Sequence, residues 1–80
     1  MTGLSEQVRT VVADVLGLPV AQVGEDASQE SLGGWDSLQH LNIALSLEAQ
    51  FGIQLAPAEI ERIRSVRRMV ELLESKRPAP

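Results

Sequence analysis

The spacing of apolar positions divides the chain into four helical segments and one long irregular stretch. From Ser5 onward, Val8, Val11, Val12, Val15 and Leu16 recur at intervals that place them on one side of a helix. Gly17 followed by Leu18-Pro19 supplies a C-terminal cap and a stop, so the first helix is expected over about residues 4–16. Between Gly17 and Trp35 no sustained period is present, and the stretch is dense in Gly, Ser, Asp and Pro. This predicts a long ordered loop, and loops of such length within compact domains are usually functional.

A second helix is expected to begin sharply at Asp36, an N-cap residue type, with Gln39 three positions later in the manner of a capping box. It runs to about Phe51, where Gly52 ends it. Pro57 suits a first helical position, and Ile60 and Ile63 mark a short third helix. Ser65 then caps a fourth, in which Val66, Met69, Val70 and Leu73 follow the i, i+3, i+4, i+7 template. The fold class that results is all-α: a small four-helix bundle with a long loop between the first and second helices. It forms a single domain over 1–80, ordered over about 4–75, with Lys76-Arg77-Pro78-Ala79-Pro80 as a flexible tail.

On the second helix the apolar residues fall into two groups. Ile43, Ala44, Leu47 and Phe51 lie on one side, and Leu38, Leu41 and Leu45 lie roughly 140° away, wider than a single core-facing stripe. Either the helix is central and covered on both sides, or one stripe faces something outside the domain.

Composition narrows the function. Eighty residues bury too small a core for a multilayer enzyme with a deep pocket. Aromatics are 2% of the chain, only Trp35 and Phe51, against 44% hydrophobic residues, which suits helices packed through aliphatic side chains. There is no cysteine, which excludes disulfides and Cys-based metal sites; any thiol chemistry must come from a cofactor. Glu6, Arg9 and Asp14 interrupt any signal-peptide apolar region, and no apolar run reaches membrane-spanning length, so a cytoplasmic location without membrane contact is expected.

The net charge of −4 is unevenly distributed. Nine acids and one cation, Arg9, give −8 over residues 1–61, whereas six cations against Glu71 and Glu74 give +4 over 62–80. An acidic body repels nucleic acid and favours partners with basic surfaces. A helix-turn-helix reading would place Arg62, Arg64, Arg67 and Arg68 on DNA; a solvated face paired with Glu59, Glu61 and Glu71 fits the acidic whole better.

The chemistry-bearing segment is Gly33-Gly34-Trp35-Asp36-Ser37-Leu38. The glycines permit a close approach to the helix, Asp36 can cap free amides, and Ser37 falls in the first turn with its hydroxyl exposed. A phosphate on Ser37 would meet the positive end of the helix dipole, worth up to about 1 kcal/mol. A hydrolytic triad of Ser37, His40 and Asp36 is disfavoured, because neighbouring residues on one helix do not give in-line geometry and the segment is not a nucleophile elbow. His40 is expected instead to pack beside the helix start, on the side of Ile43 and Leu47. Trp35 is either a packing anchor for the loop or a contact for partner enzymes.

Gly34-Trp35-Asp36-Ser37-Leu38 resembles the Gly-x-Asp-Ser-Leu motif of acyl carrier proteins, whose serine receives 4′-phosphopantetheine from coenzyme A. The resemblance extends along the chain: Leu47-Glu48-Ala49-Gln50-Phe51-Gly52-Ile53 is similar to that family's Leu-Glu-x-x-Phe-x-Ile, and Ser65-Val66 to its Thr-Val. Leu16-Gly17-Leu18 and Gly24-Glu25-Asp26 also fit. The resemblance implies a free-standing, monomeric, non-catalytic carrier, with the covalent cofactor 4′-phosphopantetheine on Ser37 and Asp36 as cap and motif residue. It implies a phosphopantetheinyl transferase and acyl-loading and acyl-processing enzymes as partners, in a fatty-acid, polyketide or related pathway. Ile43, Leu47 and Phe51 would face the core, and Trp35, Leu38, Leu41 and Leu45 would serve partner recognition. Two departures are visible. Leu32-Gly33-Gly34-Trp35 puts one residue more before Asp36 than primary-metabolism members usually have, which suggests a specialised pathway. Gln39, His40 and Asn42 stand where the family usually has acids, which argues against purely charge-driven docking. A peptidyl or aminoacyl carrier and an unmodified helical interaction module are the alternatives.

Overall fold

The structure, a computed structural model, describes residues 3–76. It contains α1 (Leu4–Leu16), a single 3-10 turn (Val20–Gln22), α2 (Ser37–Phe51), α3 (Pro57–Arg62) and α4 (Val66–Lys76). The expected all-α bundle is what forms. Among the described residues there is no strand, only one isolated bridge between Ser28 and Ser65.

Glycine ends two of the helices for the same physical reason. Gly17 (φ 71°) and Gly52 (φ 64°) take the left-handed conformation that a side chain disfavours. That conformation turns the following N–H back onto the helix, Leu18 onto the Ala13 carbonyl at 2.9 Å and Ile53 onto Glu48 at 3.2 Å. α4 starts as expected at Ser65, whose Oγ accepts from the Arg68 N–H at 3.1 Å.

The core is aliphatic. α1 contributes Val8, Val11, Val12 and Ala13, α2 contributes Ile43, Ala44 and Leu47, and α4 contributes Val66, Met69 and Leu73. α1 packs on both α2 and α4, so α2 keeps one flank open to solvent. Val23, Ala27 and Trp35 from the long loop complete the cluster.

The long loop is held by specific bonds, which is why it is ordered without helical periodicity. Arg9 donates from Nε to the Val23 carbonyl and from Nη2 to Val20 at 3.4 Å, tying the loop's start to α1. Farther along, Gln29 N–H donates to the Arg64 carbonyl and Val66 N–H to Ala27, both at 2.9 Å, which stitches the loop to the α3–α4 connection.

Three expectations need correction. Lys76 belongs to α4 rather than to a tail, and its Nζ meets Glu59 Oε2 at 3.0 Å; the expected tail residues 77–80 lie outside the described residues. The arginine cluster is only partly paired as expected: Arg62 acts on Glu59 through its charge, but the ion pair of Glu59 is with Lys76, and Arg67 reaches Asp26 across the loop. The capping box at α2 is half formed: Gln39 N–H reaches Asp36, but its side-chain oxygen accepts from Asn42 instead.

Glu59 also accepts the Ala56 N–H at 2.9 Å, and this bond, followed by Lys76, holds its carboxyl below the ordinary glutamate value. A depressed folded-state value means the stabilisation is present above the unfolded value, about 4.3, and is lost as pH falls through the lower folded value. Glu59→Gln is therefore expected to flatten the acid limb of the stability curve, seen as smaller shifts of the urea midpoint than the parent shows between about pH 5 and pH 3.

Candidate functional site at the start of the second helix

Asp36 sits in extended backbone (φ −93°, ψ −175°) and its Oδ1 accepts from Gln39 N–H at 2.9 Å, so the cap of α2 is an aspartate side chain. Ser37, the first residue of the helix, is exposed. Among the described residues its hydroxyl has no hydrogen-bond partner, and no acid lies in the first turn after the cap. The hydroxyl is thus accessible to a modifying enzyme, and an anion attached to it would lie beside free helix-terminal N–H groups.

Two stripes of α2 separate cleanly. His40, Ile43, Ala44 and Leu47 are buried, with Phe51 half-buried against the core. Leu38, Leu41 and Leu45 are 68%, 47% and 54% exposed, an apolar strip starting one residue from Ser37. Three exposed leucines in a row on one helix face make a surface suited to transient apolar contact.

Trp35 is corrected as a recognition residue. It is 3% exposed, and its Nε1 donates to His40 Nδ1 at 3.0 Å. The rings stack at 6.0 Å between centroids, which makes the indole the packing anchor of the loop. The other His40 nitrogen, Nε2, lies 2.6 Å from the Ile60 carbonyl. A carbonyl can only accept, so Nε2 carries the proton and Nδ1 offers its lone pair to the indole. His40 therefore joins the loop, α2 and α3 through one neutral ring. Both nitrogens are occupied away from Ser37, which removes the base that a triad would need.

Sequence reasoning missed what surrounds Ser37 on its other side. A surface hollow of about 270 Å³ is lined by Gln29, Ser37, His40, Leu41, Ile60, Glu61 and Arg64. Nothing in the residue pattern brings Gln29 or Arg64 to Ser37; the loop bridge does so. Among the described residues no group of three or more His, Cys, Asp or Glu side chains could hold a metal, and no helix is long and apolar enough to cross a membrane.

Comparison with known proteins agrees with this geometry. Residues 6–73 match the family described as "Phosphopantetheine attachment site". The chain is 46% identical over 71 residues to "Polyketide-8 synthase acyl carrier protein 2" of Streptomyces avermitilis, spanning 89% of this chain and 82% of that one. It is 31% identical over 78 residues to "Acyl carrier protein 2" of Pseudomonas aeruginosa, spanning 98% and 99%. It is 27% identical over 74 residues to "Acyl carrier protein" of Solidesulfovibrio magneticus, spanning 92% and 95%. A four-helix domain matched over nearly its whole length by carriers, with an aspartate-capped helix start, belongs to the phosphopantetheine-attachment family as an acyl carrier protein.

Proposed function

We propose that Ser37 is the attachment residue and that the chain serves a polyketide-type pathway of specialised metabolism. The observation that carries the site is the free, exposed hydroxyl at the first position of α2 beside a cap made by a different residue. The pathway reading is supported by the polyketide synthase carrier at 46% identity and by the extra residue in Leu32-Gly33-Gly34-Trp35. When bound, the arm supplies the thiol on which acyl groups are held as thioesters. The protein's own contribution is to present that tether from a rigid helix end, which raises the effective concentration of the cargo at each partner. The chain works as a cytoplasmic monomer, with a phosphopantetheinyl transferase and acyl-loading and acyl-processing enzymes as partners and without nucleic acid or membrane.

The test is incubation with coenzyme A, magnesium and a broad-specificity transferase, followed by intact-mass and fragment analysis. One phosphopantetheine on Ser37 is expected. Label on Ser28, Ser31 or Ser46 would move the site and overturn the assignment.

The exposed strip supplies the docking contact in this reading. A small transient interface depends on a few desolvated apolar side chains, and Leu38, Leu41 and Leu45 are the ones available beside Ser37. With Gln39 and Asn42 exposed or half-exposed in place of acids, the acidic body mainly speeds encounter. Leu41→Arg is expected to slow modification roughly tenfold or more, equivalent to about 1.4 kcal/mol of lost contact, with the helical spectrum unchanged. Added salt should lower the association rate more than the affinity. Modification of folded Leu41→Arg at the parent rate would remove the strip from the interface.

A further inference from the structure

His40 is the one buried polar or charged side chain among the described residues, in a core that α1 and α4 fill with Val, Ala, Met and Leu alone. Its ring lies between two partners of opposite demand. The indole N–H of Trp35 needs an acceptor, which Nδ1 supplies at 3.0 Å, and the Ile60 carbonyl needs a donor, which Nε2 supplies at 2.6 Å. Only the neutral ring meets both. An imidazolium would turn an N–H against the indole N–H and would place a charge among apolar side chains. The bond to the indole also brackets the site: Trp35 stands two residues before Ser37 and His40 three after it. Little else fastens the end of the loop there. The Trp35 backbone N–H reaches the Leu32 carbonyl only at 3.4 Å, and of the two glycines between them Gly34 takes left-handed backbone (φ 87°). α3 buries no side chain fully, and the other end of the same ring ties it to α2.

We propose that His40 is a positioning residue for Ser37 that works only as the neutral ring: it fastens Trp35 across the start of α2, and taking up a proton undoes the fastening and slows modification of Ser37. The proposal rests on Ser37 being the attachment residue. The ring can hold the indole only while Nδ1 keeps a lone pair, so acid favours the loosened form and the fastening returns as pH rises. Histidine is the side chain that ordinarily changes charge between about pH 5 and pH 8. A proton reaches the ring from the hollow that it shares with Ser37. The charged groups near it are Asp36 at the helix cap and, lining that hollow, Glu61 and Arg64, of opposite sign. Carboxylates and guanidinium groups ordinarily hold their charge above about pH 5. Glu59, whose carboxyl lies below the usual value, does so as well. α1 and α4 bring only apolar side chains to the core, so the imidazole is the group here that changes state in this range.

The test uses the chain before modification, as the parent and as His40→Gln, since glutamine keeps one acceptor and one donor and does not titrate. The chain has a single Trp and a single His, so both signals are unambiguous. From about pH 8 to about pH 5, with far-UV circular dichroism constant, the parent's tryptophan emission should shift reversibly to the red. Its indole N–H resonance should move with the same midpoint as the imidazole nitrogen resonances, and neither signal should move in His40→Gln. Half a pH unit below that midpoint about a quarter of the rings remain neutral, so the parent should be modified about fourfold more slowly than His40→Gln, against equal rates at about pH 8. The ratio cancels the transferase's own pH dependence. A short peptide substrate of the same transferase gives a second reference, so the rate is readable even where His40→Gln does not fold. An indole resonance that stays in place down to about pH 5 overturns the proposal on the parent alone. A red shift that comes only with loss of helix makes His40 structural and overturns it too. A rate ratio that is the same at both pH values, with the arm on Ser37, overturns the proposal while leaving the attachment site standing. A chain that takes no arm on Ser37 overturns both.

Discussion

Ser37→Ala is expected to abolish addition of phosphopantetheine while leaving the denaturation midpoint within the scatter of the parent. The argument is a division of labour between adjacent residues. Asp36 Oδ1 holds the Gln39 N–H and so satisfies one of the helix's free donors, whereas the Ser37 hydroxyl holds nothing. Truncating Ser37 removes an exposed oxygen that makes no bond, a change usually within about 0.5 kcal/mol. Asp36→Ala is the complementary variant. It removes the cap and should lose about 1 kcal/mol, while the hydroxyl to be modified remains present. Intact-protein mass spectrometry and urea melts on the two variants separate the roles. A large fall in stability for Ser37→Ala would make the serine structural, and continued mass gain would place the arm elsewhere.

How much of this was readable beforehand depended on the range of the interaction. Helix ends are fixed by residues within a few positions of one another, so Gly17, Asp36, Gly52 and Ser65 marked them correctly. The two stripes of α2 follow from helix geometry alone, and the buried one, Ile43, Ala44 and Leu47, is the expected one. Trp35 was undecidable because its partner is a histidine whose second nitrogen is committed to Ile60, a carbonyl twenty residues on. The site's second wall was invisible for the same reason. Gln29 and Arg64 meet through backbone bonds between a loop and a helix connection, and no local pattern announces such a pairing. Lys76 reads from the sequence as the start of a terminal tail, but its ion pair with Glu59, a residue seventeen positions earlier, holds it in the last turn of α4.

Leu47→Ala should cost about 2–5 kcal/mol, and Leu38→Ala should be close to neutral. Leu47 is enclosed in the cluster that α1 and α4 complete, so removing its three outer carbons leaves a void that the surrounding Val, Ile and Met side chains close only in part. Leu38 is 68% exposed and leaves no void. Phe51, half-buried near the helix end, should fall between them at about 2–3 kcal/mol on truncation. His40→Ala tests a different mechanism in the same helix. It leaves the indole N–H of Trp35 and the carbonyl of Ile60 without their partner, at about 1–3 kcal/mol for each group that stays dry. Because Trp35 is the sole tryptophan, its fluorescence should shift to the red in His40→Ala as water reaches the ring, and should stay unchanged in Leu38→Ala. Denaturant melts with fluorescence on the four variants decide the matter. Equal losses for Leu38 and Leu47 would mean that the exposed strip is part of the core, and with it the apolar docking surface beside Ser37 would disappear.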